Sequence, residues 1–235
     1  MRLPTFLFFL SLASAAELTV GAASRGSATR NLYGINLWRA FDPETAESRE
    51  YQAQLDTLGV TVVRFHNMGM SKWIDLTNRV WNTNAIRRVM AALAAKFPVK
   101  LVTICKPPSW MDENGDKRLD DGREEDYAAW CAQLVRIVNL DGKAGVRYWE
   151  TLNEAELGGY KQKGDGLVLA NLFRRCKAAM LAVDPSIQVG ANAWSWTMPF
   201  QAQELLAEAG KELAFYSYHG YATGNSNEET TAIYE

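Results

Sequence analysis

A parallel α/β fold of the (β/α)8-barrel kind is what this 235-residue sequence predicts. Apolar strand-like runs alternate with segments of helical periodicity from residue 32 onward. No hairpin signals stand between the runs, so successive strands are joined by crossovers and lie parallel. The turn after the first run, WRAFDPET, has no glycine, whereas an open nucleotide-binding sheet is expected to start on a Gly-rich turn.

The strand-like runs are LYGINLW (32–38), VTVVRFH (60–66), VKLVTIC (99–105), VRYWETLN (146–153), IQVGANA (187–193) and LAFYSYH (213–219). The first helix is expected over 43–58, with Asp42 as N-cap, Pro43 as first residue and Gly59 as stop; its buried stripe is Tyr51, Leu55 and Leu58. The second carries Ile86, Val89, Met90, Leu93 and Phe97 and ends before Pro98. The third, 124–139, buries Tyr127, Trp130, Cys131, Leu134 and Val138. The fourth, 167–183, buries Leu169, Leu172, Phe173, Cys176 and Met180 and stops at Asp184-Pro185. A fifth covers 200–209, and a sixth begins near Asn227. About six βα units are therefore present, an incomplete barrel, since six strands cannot close one.

Residues 1–15, with Arg2, an apolar run from Phe6 to Leu12 and then small residues, read as a signal peptide cut before Ala16. The apolar run is too short to span a bilayer. Residues 16–235 are then expected to be exported, extracellular or periplasmic. A net charge of -2 gives no reason to expect nucleic acid or an anionic membrane as partner. Three cysteines without a C-x-x-C read as buried thiols, and two histidines leave few ligands for zinc. No metal or cofactor is called for. Asp112, Glu113, Asp116, Asp120 and Asp121 read first as a solvated loop and second as a calcium-holding one. Nothing in the sequence indicates an oligomeric state.

A barrel works at the C-terminal ends of its strands. Those ends carry Trp38 on the first run, Arg64 and His66 on the second, Asn153 and Glu154 on the fourth, Trp194 and Trp196 after the fifth, and His219 and Tyr221 after the sixth. Glu154 either caps a helix in the EAELGG loop or does chemistry, and its company favours chemistry. Arg64 either pairs with a buried carboxylate or orients a catalytic acid. Trp194 and Trp196, among polar neighbours, suggest a stacking platform for a sugar ring.

With these residues the chain resembles the retaining glycoside hydrolases of clan A, and within it most closely family 39, the β-xylosidase group. Arabinofuranosidase and endoglucanase families are neighbours. YWETLNEAE is similar to the fourth-strand motif of that clan, which implies Glu154 as general acid/base and Asn153 as ligand of the sugar 2-hydroxyl. VVRFH and YSYHGY are similar to its second and sixth strands, implying sugar-site roles for Arg64, His66, His219 and Tyr221. Ala155 stands where the clan usually has proline. The resemblance implies hydrolysis of β-linked, xylan- or glucan-like saccharides with retention, through a second carboxylate about 5–5.5 Å from the first. The clan carries that nucleophile on its seventh strand. The chain is accordingly expected to be the N-terminal part of an enzyme, with little activity by itself. The alternative is a secreted carbohydrate-binding protein without catalysis.

Overall fold

The strand-like runs pair in the order in which they occur. The computed structural model describes residues 34–37, 46–68, 73–196 and 198–219. Strands β1 (Gly34–Leu37), β2 (Val62–Met68), β5 (Val99–Ile104), β6 (Tyr148–Asn153) and β7 (Gln188–Ala193) form one parallel sheet with neighbours β1-β2-β5-β6-β7. A doubly wound sheet reverses its order at a switch point, whereas a barrel adds each strand beside the last. The monotonic order is the barrel pattern. In both β6 and β7 every residue after the first is buried, as a sheet covered on both faces requires.

Helices α1 (Ala46–Thr57), α2 (Thr83–Lys96), α3 (Glu124–Val135), α4 (Asp165–Val183) and α5 (Phe200–Ala209) supply the cover. Asn82 starts α2, its Oδ1 accepting the Ala85 N–H at 3.3 Å, and the helix ends at Phe97 before Pro98 breaks the pattern. The apolar stripes expected for α2, α3 and α4 are buried throughout. Their 3.6-residue spacing leaves one side to pack and the other to water. After Val135 the third helix widens into a π-helical turn, Arg136–Asp141.

The expected stripe of α1 needs one correction. Leu55 is buried, but Leu58 is 67% exposed. The helix ends at Thr57, Gly59 turns the chain at φ +65°, and Val60 packs against the core instead. The expected helix start at Asp42 and Pro43, the sixth helix near Asn227 and the leader at 1–15 lie outside the described residues.

Two further differences bear on the site. A hairpin, β3 (Ile74–Asp75) with β4 (Val80–Trp81), interrupts the β2–α2 connection, although no hairpin was expected. Its turn is held by Asp75 Oδ1, which accepts the N–H groups of Thr77 and Asn78 at 3.0 and 3.1 Å. The hairpin lays Trp81 flat on Trp130, ring centroids 4.1 Å apart. The sixth run is not a regular strand. It follows β7 in parallel through Ala214 N–H to Val189 O, Trp194 N–H to Ser217 O and His219 N–H to Trp194 O, with one bridge, Trp194 to Tyr218. The ladder breaks where the Phe215 ring lies on Gly190 and meets Tyr148 edge-on at 5.8 Å.

A Cβ at residue 190 would stand 2.8 Å from the Phe215 ring. Gly190→Ala is therefore expected to lower stability by about 1–3 kcal/mol, the usual cost of overpacking, measured as a reduced urea midpoint.

Candidate active site

Strand β6 reads YWETLN, a glutamate set in an apolar run. The register places Glu150 beside Thr103 of β5 and Gly190 of β7. Glu150 is 1% exposed, and an uncompensated charge there would cost several kcal/mol. Donors from three other segments meet it. Arg64 of β2 donates from Nε at 2.9 Å and approaches with its second terminal nitrogen at 2.8 Å. Thr103 donates its hydroxyl at 2.5 Å and Ser217 of the sixth run at 2.7 Å. Arg64 also donates to Asn36 Oδ1 of β1 at 3.1 Å and to Asn153 Oδ1 at 2.8 Å. The first reading of Arg64 is the one observed: from inside β2 it pairs with a buried carboxylate, and it also holds the Asn153 amide at the end of β6.

Glu154 follows in the left-handed region, φ 51° and ψ 41°, which costs a non-glycine residue about 1–2 kcal/mol. Its N–H donates to Ala193 O of β7 at 2.8 Å. It opens a 3-10 turn, Ala155–Leu157, but its side chain makes no cap hydrogen bond. Instead Oε1 lies 2.6 Å from His219 Nδ1, both side chains 17% exposed. The carboxylate therefore faces the rim of the barrel and not the helix start. One proton serves this contact, carried by the acid with Nδ1 accepting or by Nδ1 with the carboxylate accepting.

Behind it sits Glu156, buried, with Asn192 Nδ2 donating to one oxygen at 2.7 Å and the Ser195 N–H to the other at 2.5 Å. Asn192 Oδ1 accepts the Ala155 N–H at 3.1 Å.

The other expected site residues divide. Asn153, Arg64, Glu154 and His219 belong to one hydrogen-bonded neighbourhood. His66 is buried at the β2 irregularity that follows Phe65, with Nδ1 3.7 Å from Cys105 Sγ. Cys105 in turn accepts the Asn153 N–H on its carbonyl at 3.3 Å. Burial pushes the Cys105 thiol up to about 12, which makes it an inert neighbour. Trp196 is 52% exposed and open for stacking, whereas Trp194 is 1% exposed and belongs to the core. The platform expected from two tryptophans reduces to one, because the backbone of Trp194 is tied on both sides to the sixth run and its ring turns inward. Trp38 and Tyr221 lie outside the described residues. Asp112, expected to be solvated, is buried and accepts the Lys117 N–H at 3.1 Å; burial raises its carboxyl above the usual range.

Sequence reasoning missed Glu150, Thr103, Ser217 and Glu156. One signal was available: a glutamate inside an apolar strand must have a buried partner, and Arg64 was one of the strand cations at hand. Among the described residues, no group of three or more His, Cys, Asp or Glu side chains is placed to hold a metal, and no helix is long and apolar enough to cross a membrane.

No family model and no curated protein matches the sequence. Solved structures do match the fold. A monomeric β-xylosidase from Caulobacter crescentus CB15 aligns with TM-score 0.61 at 19% identity, over 81% of this chain and 42% of its own. A glucosidase from Croceicoccus marinus aligns with TM-score 0.59 at 16% identity, over 82% and 44%. A family 39 glycoside hydrolase from Bacteroides cellulosilyticus WH2 aligns with TM-score 0.58 at 15% identity, over 83% and 39%. The chain thus has the fold of barrel glycosidases and spans less than half the length of these three proteins.

Replacing Arg64 with methionine strands Glu150, and is expected to cost about 3–5 kcal/mol in denaturant unfolding. The thiols of Cys105, Cys131 and Cys176 are all buried and unbridged, and burial raises Cys105 and Cys176 above the ordinary thiol range. At pH 8 the native protein is therefore expected to resist iodoacetamide at all three, with labelling on unfolding read by intact mass.

Proposed function

We propose that this chain carries the acid/base part of an exported retaining glycosidase that acts on β-linked saccharides, with Glu154 as general acid/base. The observation that supports it most is the placement of Glu154. It stands at the C-terminal end of the fourth strand of a barrel-ordered sheet, in a strained backbone conformation, with its carboxyl aimed at His219 and away from the adjacent turn. Strain of this kind persists where surrounding structure over-determines it, and it concentrates at working sites.

In the first step Glu154 would give its proton to the leaving oxygen as the glycosidic bond breaks. The proton leaves from Oε2, while Oε1 accepts a hydrogen bond from Nδ1–H of His219 before and after the transfer, which keeps the carboxyl in place. In the second step it would take a proton from water. Asn153, its amide oxygen held by Arg64, has its NH2 group left to donate to a sugar hydroxyl. Trp196 offers a flat apolar face for a neighbouring ring. Glu150 and Glu156 do not suit the nucleophile's role, since both oxygens of each already accept from protein donors. Retention needs a second carboxylate in addition to Glu154. The signal-peptide pattern of the sequence at 1–15 supports export, and the β-xylosidase and glucosidase among the fold neighbours favour β-xylosides and β-glucosides as substrates.

The test uses the protein as its source secretes it, on aryl β-xylosides and β-glucosides, with the anomer of the released sugar read by NMR. Glu154→Gln is expected to lower kcat/KM by about 10²–10⁴-fold, least for the best leaving groups. Added azide should then yield a β-glycosyl azide from the activated substrate. Unchanged turnover in the variant would remove Glu154 from the role. Oligosaccharide binding without any turnover by the unaltered protein would instead favour the carbohydrate-binding alternative.

A further inference from the structure

The carboxyl of Glu154 can serve as acid only if its backbone stays left-handed, and the bonds around it show what keeps it there. The Glu154 N–H is tied to Ala193 O and the next N–H, of Ala155, to Asn192 Oδ1. Asn192 is itself oriented by Glu156, which also receives the Ser195 N–H. Three elements are thereby closed into one ring: the turn after β6, the end of β7 and the segment leading to Trp196.

The polarity of that ring is strict. The Ala155 N–H can only donate, so Asn192 must present its oxygen there and its NH2 group to Glu156. The Ser195 N–H also can only donate. Glu156 therefore faces two donors and needs an acceptor at both oxygens, which only a carboxylate offers. Glutamine of the same shape would turn an NH2 group onto one of these donors and leave a buried pair unsatisfied. Burial first, and then the charge of Glu156, hold the Tyr216 hydroxyl up at about 12.

We propose that Glu156 is a positioning residue for Glu154: acting through Asn192, it fixes the left-handed turn that aims the Glu154 carboxyl at His219. The proposal deepens the acid/base reading and rests on it for its catalytic consequence, but the geometry it predicts is observable without turnover.

Residues 1–235 hold two histidines, so the assigned ring proton and nitrogen NMR signals of His219 and His66 separate the site from its surroundings. In the full chain, Glu156→Gln is expected to displace the His219 Nδ1 signal or lose it to solvent exchange, with His66 unmoved. Turnover should fall by about tenfold or more at little change in KM, as misplacement of a catalytic group does. Asn192→Asp should do the same, because its second oxygen would then face Glu156. The double variant Asn192→Asp/Glu156→Gln exchanges donor and acceptor between the two side chains and restores all three bonds. It should return the His219 signal to its original position. A His219 signal unmoved in the single variants overturns the proposal, and so does a double variant that fails to restore it. If the single variants do not fold, the double variant decides alone, by the same signal. Failure of the acid/base reading would appear separately, as turnover unaffected by Glu154→Gln while the His219 signal still follows residue 156.

Discussion

The pairing of Arg64 with Glu150 is the constraint on which the rest of the site depends. A carboxylate in the interior of a parallel sheet is tolerated only when several donors converge on it. The donors available lie on β2, β5 and the sixth run. Their convergence requires Thr103 to stand level with Glu150, which is the observed register. It also requires the sixth run to approach closely enough for Ser217 to reach. A slip of one residue in any of these strands would turn the side chain to the other face and strand the charge. The polar interior thereby specifies the register that apolar burial alone would leave loosely determined.

From that pair the chemistry is assembled outward. Arg64 uses two further donors on Asn36 and Asn153, so the amide beside the proposed acid is held by the same guanidinium that neutralises the interior. Ser217, bonded to Glu150, lies two residues before His219, and its backbone is tied to Trp194. The imidazole that meets Glu154 is thus carried by a segment anchored at the same carboxylate. The irregular pairing of that segment follows from the Phe215 ring resting on Gly190.

The five runs that became the parallel sheet, the α2–α4 stripes and the placement of Asn153 and Glu154 where β6 stops were legible in the residues, whereas Arg64 lies inside β2 and His219 on a run that is not a regular strand. Each rests on local information: a period of two or 3.6, a proline or glycine at a boundary, a polar residue where an apolar run stops. Leu58 and Trp194 were misjudged for one reason. Each lies just past an element end, where the local pattern no longer says which way a side chain turns. Leu58 falls beyond the last turn of α1 and is left in water, while Trp194 is drawn inward by its backbone bonds to the sixth run.

The sequence by itself determined the kind of elements and their order, because these follow from periodicity and from residue types at run ends, and it set Glu154 apart as the glutamate just past the fourth run. Only the tertiary structure decided which carboxylates are occupied and which is presented. Glu150, Glu154 and Glu156 are the same side chain within seven residues of one another, and no local signal shows which partners each one meets. One is neutralised by Arg64 from a strand 86 positions away, one is clamped by Asn192, and one is turned towards His219. The difference lies in which partners the barrel order brings to each, a long-range property that no window of neighbouring residues contains.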